Sequence, residues 1–352
     1  MKVIKRLFPI LVVLIITLSV GCGKSENRVS PPFFTVTDSE TGGVVYMLGT
    51  MHVGLPNTVY PDEVFTALDE CETLAVELDI QALESNTEEL LSAMELLECD
   101  SAEDFLGDDY AEIKDFFVKK RIYSANLNWY IPAVWSSTLS NKLAADCGYS
   151  SEYGTDRALL TYAKKNGIAI HEIESAAEQY RMNASEPREL QCYMLKSAVE
   201  TDYELQKEQM KELYRVWSAA DSAAIEQMLS DEGVPEELSE QYTEYYFAMY
   251  ESRQRKMADY VLETLRSGKK AFIAVGAMHY YATPDIIDFL EDEGYTVDIL
   301  WGLRPHTPAK AHVFARSAKN APFGYNAPRL RRGKRHPNRG QCPLRIPVPN
   351  IE

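Results

Sequence analysis

Short apolar runs and long charged amphipathic stretches divide this chain, and their order predicts strands toward both ends with helices between. Residues 33–37 and 44–48 flank Gly42-Gly43 and read as two strands joined by a hairpin or reverse connection. Pro61 and Asp62 then open a short helix through Leu68, because proline suits the first helical turn and an acid there complements the helix dipole. Residues 73–78 form the next strand, with Glu77 toward its end. From Gln81 to about Tyr162 the pattern is mostly helical, broken around Asp100, Gly107 and Gly148, and residues 168–173 are a third strand. The stretch from Pro187 to about Arg266, rich in Glu, Leu, Met, Lys and Gln and broken at Gly233-Val234-Pro235, predicts two or three long helices. Its Tyr242, Tyr245, Tyr246 and Tyr250 read as packing residues. A buried strand at 271–275, a helix at 284–293 and a closing strand at 295–300 complete an α/β chain with a large helical insertion.

One phrase recurs across that insertion. Gly49-Thr50-Met51-His52 follows the strand at 44–48, and Gly276-Ala277-Met278-His279 follows the strand at 271–275. Each is succeeded by a loop, a Pro-Asp pair, a short amphipathic helix and an acid-bearing strand, with Glu77 in the first and Asp298 in the second. The expectation is a central sheet built from two duplicated units of strand, Gly-x-x-His, helix and strand. Strand-turn-helix-strand units recur in any α/β protein, but the shared Gly-x-Met-His is a further coincidence. A histidine just past a strand can project into a cleft at the sheet's carboxyl edge. Neutral imidazole suits zinc, copper, iron and nickel, and it is also the usual general base near neutral pH. His52 and His279, with Glu77 and with Glu174 just after the strand at 168–173, are therefore candidate metal ligands or proton acceptors. No His-Glu-x-x-His helix is present, so such a site must be assembled from distant segments. His171, beside Glu172, reads as structural.

Composition narrows the partners. The 352 residues carry a net charge of −17, yet residues 305–352 hold ten Lys and Arg against Glu352 alone, so the preceding body is still more acidic. A body of that charge repels phosphate backbones, and no nucleic-acid partner is expected. At the start, Lys2, Lys5 and Arg6 precede an uncharged run at 7–20 that ends in Gly21-Cys22, which fits a signal peptide over residues 1–21. Ser19-Val20-Gly21-Cys22 looks like a bacterial lipobox with serine where an aliphatic residue is usual, so Cys22 is the expected lipidation site and residues 22–32 a tether. An uncleaved membrane anchor is the alternative, and both readings place the body outside the cytoplasm. The other five cysteines lie far apart, which leaves thiolate zinc ribbons and thioredoxin chemistry without support.

Several of these segments together resemble the TraB/GumN (TraB/PrgY) family, which is related to the Tiki-type metalloproteases. The likeness spans roughly residues 33–303 within an expected domain of 33–304. Gly49-Thr50-Met51-His52 resembles the opening G-T-x-H, Glu77 in Ala75-Val76-Glu77-Leu78-Asp79 the next strand's glutamate, and Gly154-Thr155-Asp156 the mid-chain Gly-x-Asp. Glu174-Ser175 with Glu178-Gln179 resembles the Glu-Thr and later Glu-Gln. Val275-Gly276-Ala277-Met278-His279 resembles the closing V-G-x-x-H, and Gly294-Tyr295-Thr296-Val297 the final G-Y-x-V. Two positions depart from the pattern: Arg253-Gln254 stands for Arg-Asn, and Ile173-Glu174-Ser175 for Leu-Glu-Thr.

The resemblance implies a divalent-metal-dependent peptidase, with Mn, Co or Zn at His52, His279, Glu77 and Glu174, and with Glu77 or Glu174 as general base. PrgY-like members imply action on extracellular peptide pheromones, so a peptide or protein substrate is expected. Arg253 is the candidate for holding a substrate carboxylate or developing oxyanion, its bland alternative being a surface helix charge; Asp156 is a second substrate-binding candidate. Two other functions stay open: a lipoprotein that sequesters a peptide without cutting it, and a haem- or iron-binding protein. Residues 305–352, with eight of the 17 prolines, read as a basic disordered tail suited to anionic lipid or cell-wall polymer, or as an extension without function.

Overall fold

The computed structural model describes residues 26–230 and 234–301. The expected signal peptide, the expected lipidation site Cys22 and the basic tail lie outside the described residues, as does Gly233 of the expected helix break. Among the described residues no helix is long and apolar enough to cross a membrane.

Six strands form one mixed sheet: β1 (Phe33–Thr37), β2 (Val44–Thr50), β3 (Thr73–Val76), β4 (Ala169–Glu172), β5 (Lys270–Gly276) and β6 (Val297–Trp301). Their spatial order is β4-β3-β5-β2-β1-β6. β4, β3, β5 and β2 run parallel to one another, β1 is antiparallel to β2, and β6 is antiparallel to β1. β1 and β2 are the expected hairpin. Asp38 starts its turn by accepting the N–H groups of Glu40 and Thr41, and Gly42 takes a left-handed φ of 81°.

Alternation along the strands splits the core into two layers. Phe34, Val36, Val45, Met47, Ile273 and Val275 face one side, where they meet Met257, Ala258, Val261 and Leu265 of helix Ser252–Arg266 and Ile286, Ile287 and Leu290 of helix Ile286–Asp292. Phe33, Leu48, Leu74, Val76, Phe272 and Ala274 face the other, against Val64 and Leu68 of helix Asp62–Asp69 and Leu159, Leu160 and Ala163 of helix Thr155–Asn166. A third cluster around Trp135, Phe117, Ile113 and Leu139 belongs to the helices alone. The helical matter is thus two insertions, one between β3 and β4 and one between β4 and β5, with β4 as a short, mostly exposed edge strand.

Two expectations change in detail. Residues 27–32, read as part of a tether, lie along the body: Asn27–Arg28 pairs in parallel with Thr58–Val59, and Val29 is buried in a cluster with Tyr60, Tyr149 and Trp217. The long-helix region beyond Pro187 holds more segments than two or three: Arg188–Glu200, Tyr203–Ser218, Ser222–Ser230 and Ser239–Tyr246, the last running through a π turn at Phe247–Glu251 into Ser252–Arg266.

The sheet sets the two Gly-x-Met-His turns side by side, since Thr50 lies opposite Gly276 in the β2–β5 register. It treats their units differently. β3, from the first unit, pairs with β5 in the sheet centre, whereas β6, from the second, pairs with β1 at the opposite edge and leaves Asp298 exposed. The histidine turns differ as well, the second closing into a 3-10 turn at Ala277–Tyr280.

Candidate functional site

All four parallel strands deliver a site residue at the same edge. From β4 to β2 the strand ends carry Glu174, Glu77, His279 and His52. The pairing continues past the strands, with Ile173 N–H donating to Val76 O at 2.8 Å and Glu174 N–H to Glu77 O at 2.9 Å, which fixes the two glutamates as neighbours.

His52 is held from behind. Its Nδ1 lies 2.9 Å from Asp156 Oδ2, and Thr50 Oγ1 donates to Asp156 Oδ1 at 2.8 Å. Asp156 stands in the first turn of helix Thr155–Asn166, whose Gly154 cap packs so closely on the His52 loop that an added Cβ would lie 2.4 Å from His52 O. Thr155 N–H donates to Met51 O at 2.9 Å, and the buried Trp217 indole donates to Gly49 O at 2.9 Å. The loop is therefore braced by helices on either side of β4 in sequence, while Nε2 is left toward Gly276. Asp156, by charge and by hydrogen bond, pushes the imidazole up to about 9. The His52 ring remains 70 % exposed by area although protein atoms surround it, so water trims this coupling.

The two glutamates share one arginine. Arg253 donates Nε to Glu174 Oε1, and its Nη2 to both Glu174 Oε2 and Glu77 Oε2, each at 2.7 Å. Gln179 Nε2 adds a bond to Glu174 Oε2 at 2.9 Å. Glu174 is 4 % exposed and Arg253 13 %, so this is a largely desolvated fork rather than a surface helix charge. The π turn at Phe247–Glu251 immediately precedes Arg253 and brings the Tyr250 ring edge-on to His279, with centroids 6.1 Å apart. Burial alone would raise the Glu77 carboxyl, but His279, Arg253, His52 and the Gly276 N–H, the last at 2.6 Å from Oε1, hold it down at about 2. Burial also keeps His279 neutral by pushing it down to about 4. Near pH 7 the charges that sustain the Glu77 carboxylate are therefore those of Arg253 and protonated His52. Arg253 is itself shifted upward, since burial opposes its charge but Glu174 and Glu77 outweigh that cost.

His279, from the 3-10 turn, is nearly fully buried, with Nε2 3.7 Å from Glu77 Oε1. Gly276 is the point on which the site converges: an added Cβ would lie 3.2 Å from Glu77 Oε1, 3.8 Å from His52 Nε2 and 3.9 Å from His279 Cδ2. The imidazoles of the recurring phrase, separated by most of the sequence, therefore approach one carboxylate.

The TraB/PrgY/gumN family profile matches residues 32–299, an interval that contains all of these side chains. The chain belongs to the TraB/PrgY/gumN family. No curated protein and no solved structure matches it at a significant level. In this TraB/PrgY/gumN chain the Arg-Gln departure is split between two tasks. Arg253 enters the fork, while Gln254 is buried and donates Nε2 to Ala282 O at 2.9 Å, tying helix Ser252–Arg266 to the segment after His279.

Whether a divalent metal suits this TraB/PrgY/gumN site turns on its donors. Two imidazole nitrogens and a carboxylate oxygen are a borderline-hard set appropriate to Zn, Co or Mn, and a carboxylate behind His52 Nδ1 is the usual support for a histidine ligand. The convergence on Gly276, toward which His279 turns its Cδ2–Nε2 edge, is compatible with that chemistry, and His52, Glu77 and His279 fit as the holding set. Glu174 is turned to Arg253 and Gln179 instead. Among the described residues no three His, Cys, Asp or Glu already surround a metal position. His171, expected to be structural, stacks on Tyr260 with centroids 4.7 Å apart. Sequence reasoning named Thr50 and Gln179 only as motif positions and Tyr250 only as a packing residue, and it gave the Gly276 N–H no role. Thr50 and Gly276 lie inside the recurring phrase, and only strand pairing shows what they touch.

Proposed function

We propose that this protein is a lipid-anchored, extracytoplasmic, metal-dependent peptidase that acts on a peptide such as a secreted signal. What supports the reading most is the meeting of His52, Glu77 and His279 around Gly276, with Asp156 behind His52. A divalent ion held there would polarise the scissile carbonyl and make a bound water a nucleophile near neutral pH. Asp156 fixes the His52 ring so that Nε2 faces Gly276. His279 presents a neutral imidazole, since burial disfavours its proton. Glu77 stays anionic beside both rings. Glu174 lines the open groove next to the fork, where its carboxylate would take the proton of the attacking water and return it to the leaving amine, with Arg253 holding its orientation. Cys22 would carry the lipid, and the basic tail would lie near anionic surface polymer.

The test is hydrolysis of a peptide library by the purified protein with Mn²⁺, Co²⁺ or Zn²⁺, read by mass spectrometry beside His52→Ala and His279→Ala. The reading requires chelator-sensitive cleavage that both variants lose; equal turnover in the variants ends it.

One observation favours a second reading. Arg253 already satisfies Glu77 and Glu174, as it would in a protein that binds a peptide without cutting it. That protein would return intact peptide after saturable, chelator-insensitive binding.

A further inference from the structure

Beside the fork, a groove of about 430 Å³ runs between helix Ala176–Ser185 and the π turn that leads into helix Ser252–Arg266. That volume is within the range of sites that take a small ligand or a few residues of chain. Its inner end is Glu174 and Arg253, and its outer end Arg181 and Ser185. A capping box between Ser175 and Glu178 fixes where the first helix starts. Lys256 of the opposite wall bonds Glu178 at 2.9 Å, so the walls are tied across the groove.

The pairing within it is uneven. Arg253 is shared by Glu77 and Glu174, and Lys256 is held by Glu178. Arg181 lines the same groove and is exposed, and no hydrogen bond or ion pair engages it among the described residues. Met182 and Ala248 supply apolar wall. An unpaired guanidinium over a partly apolar trough, in a chain of net charge −17, is suited to a carboxylate on an otherwise uncharged ligand.

We propose that this groove is the substrate-binding cleft of the peptidase site, and that Arg181 selects peptides bearing an acidic side chain or terminal carboxylate. The proposal rests on the peptidase reading for what happens at the inner end. Arg181 lies in the second turn of helix Ala176–Ser185, roughly 7.5 Å of rise beyond the helix start next to Glu174, which an extended peptide covers in about two to three residues. The acidic group therefore sits two to three residues from the bond that faces Glu174.

The probes are pentapeptides with blocked termini and a neutral coumarin label, uncharged apart from one Asp placed at each position in turn, with Asn-containing counterparts. Binding to the purified full chain is read by fluorescence anisotropy and cleavage by mass spectrometry. Expected is about tenfold tighter binding of the best Asp peptide over its Asn partner, as a partly exposed charge-assisted bond supplies. Arg181→Ala should abolish that preference, Arg181→Glu should reverse it, and Arg181→Lys should keep part of it, the Asn peptides serving as the reference for any general loss of affinity. Equal binding of Asp and Asn peptides, or a preference that survives Arg181→Ala, overturns the proposal. Charge-selective binding without cleavage under any metal would uphold the groove and defeat the peptidase reading. His52-dependent cleavage without charge preference would do the reverse.

Discussion

Asp156 Oδ2 stands 2.9 Å from His52 Nδ1, so a helix that begins after residue 154 sets the orientation of an imidazole on a loop one hundred residues earlier. The pair behaves as a unit in titration and in ligand binding. In the metal-free protein, Asp156→Asn should drop His52 from about 9 toward its ordinary 6.5, visible in the imidazole proton shifts by NMR. The same variant should weaken Zn²⁺ binding by about 10- to 100-fold in calorimetry, as loss of a supporting carboxylate does. A His52 titration unmoved by the change would show that the contact does not govern it.

The two imidazoles should also limit the folded state from opposite directions. His52 is raised, so its contribution is complete below pH 6.5 and is lost as pH climbs through about 9. His279 is depressed, so its contribution is complete above pH 6.5 and is lost as pH falls through about 4. Urea midpoints for the metal-free protein should decline through the alkaline window; in the acidic one the raised Glu186 carboxyl acts with the opposite sign, so the His279 part is read as the difference between His279→Gln and the unsubstituted protein. That difference should grow in favour of the variant as pH falls from 6.5 to 4 and stay constant through the alkaline window; a change in the alkaline limb would contradict the assignment.

Removing Arg253 leaves two neighbouring carboxylates buried without their cation. Arg253→Met should destabilise the protein by about 3 to 5 kcal/mol in urea unfolding at pH 7, the usual effect of breaking a buried pair from one side. Adding Glu174→Gln should recover part of that loss. If the double variant is as unstable as the single one, the fork is not the source of the penalty.

Gly154 and Gly276 predict different outcomes for the same substitution. Gly154→Ala drives Cβ to 2.4 Å from a backbone oxygen, so a main-chain shift is required and about 1 to 3 kcal/mol of stability should go with it. Gly276→Ala meets the Glu77 carboxylate tip at 3.2 Å, which a small side-chain movement relieves. Its stability should change little while Zn²⁺ affinity falls. Thermal melts paired with calorimetry separate the two.

Glu186, at the end of helix Ala176–Ser185, is pushed up to about 7 by burial, and its Oε1 has no hydrogen-bond partner among the described residues. Between pH 4.5 and 7 the folded chain keeps a proton that the unfolded chain releases, so stability declines as pH rises through that window. Glu186→Gln should therefore stabilise the protein by about 1 to 3 kcal/mol at pH 8 and hardly at pH 5. Equal effects at both values would mean that burial of the charge is not the cause.

What could be read from the sequence was local. The runs at 33–37, 44–48 and 271–275 alternate or stay apolar strongly enough to mark strands, and the Gly-x-Met-His phrase marks their ends. Strand order was not legible, because placing β5 between β2 and β3 depends on packing across the whole sheet. The same limit hid the partners of Arg253 and Asp156: each is a single charge on a helix until a distant strand end meets it. The π turn before Arg253 leaves no distinct composition, since Phe247–Glu251 would serve equally well in an ordinary helix.

The position of β5 also governs when the protein can begin to act. Without residues 270–276 the remaining strands fall into two groups, β4 with β3 and β2 with β1 and β6, and no strand pairing joins the end that carries His52 to the end that carries Glu77. A chain still being synthesised, or one cut before that strand, has every earlier site residue and no assembled site. Contacts this distant in sequence form late in folding. Completion of the sheet is thus a built-in check that only the whole folded body confronts its ligand.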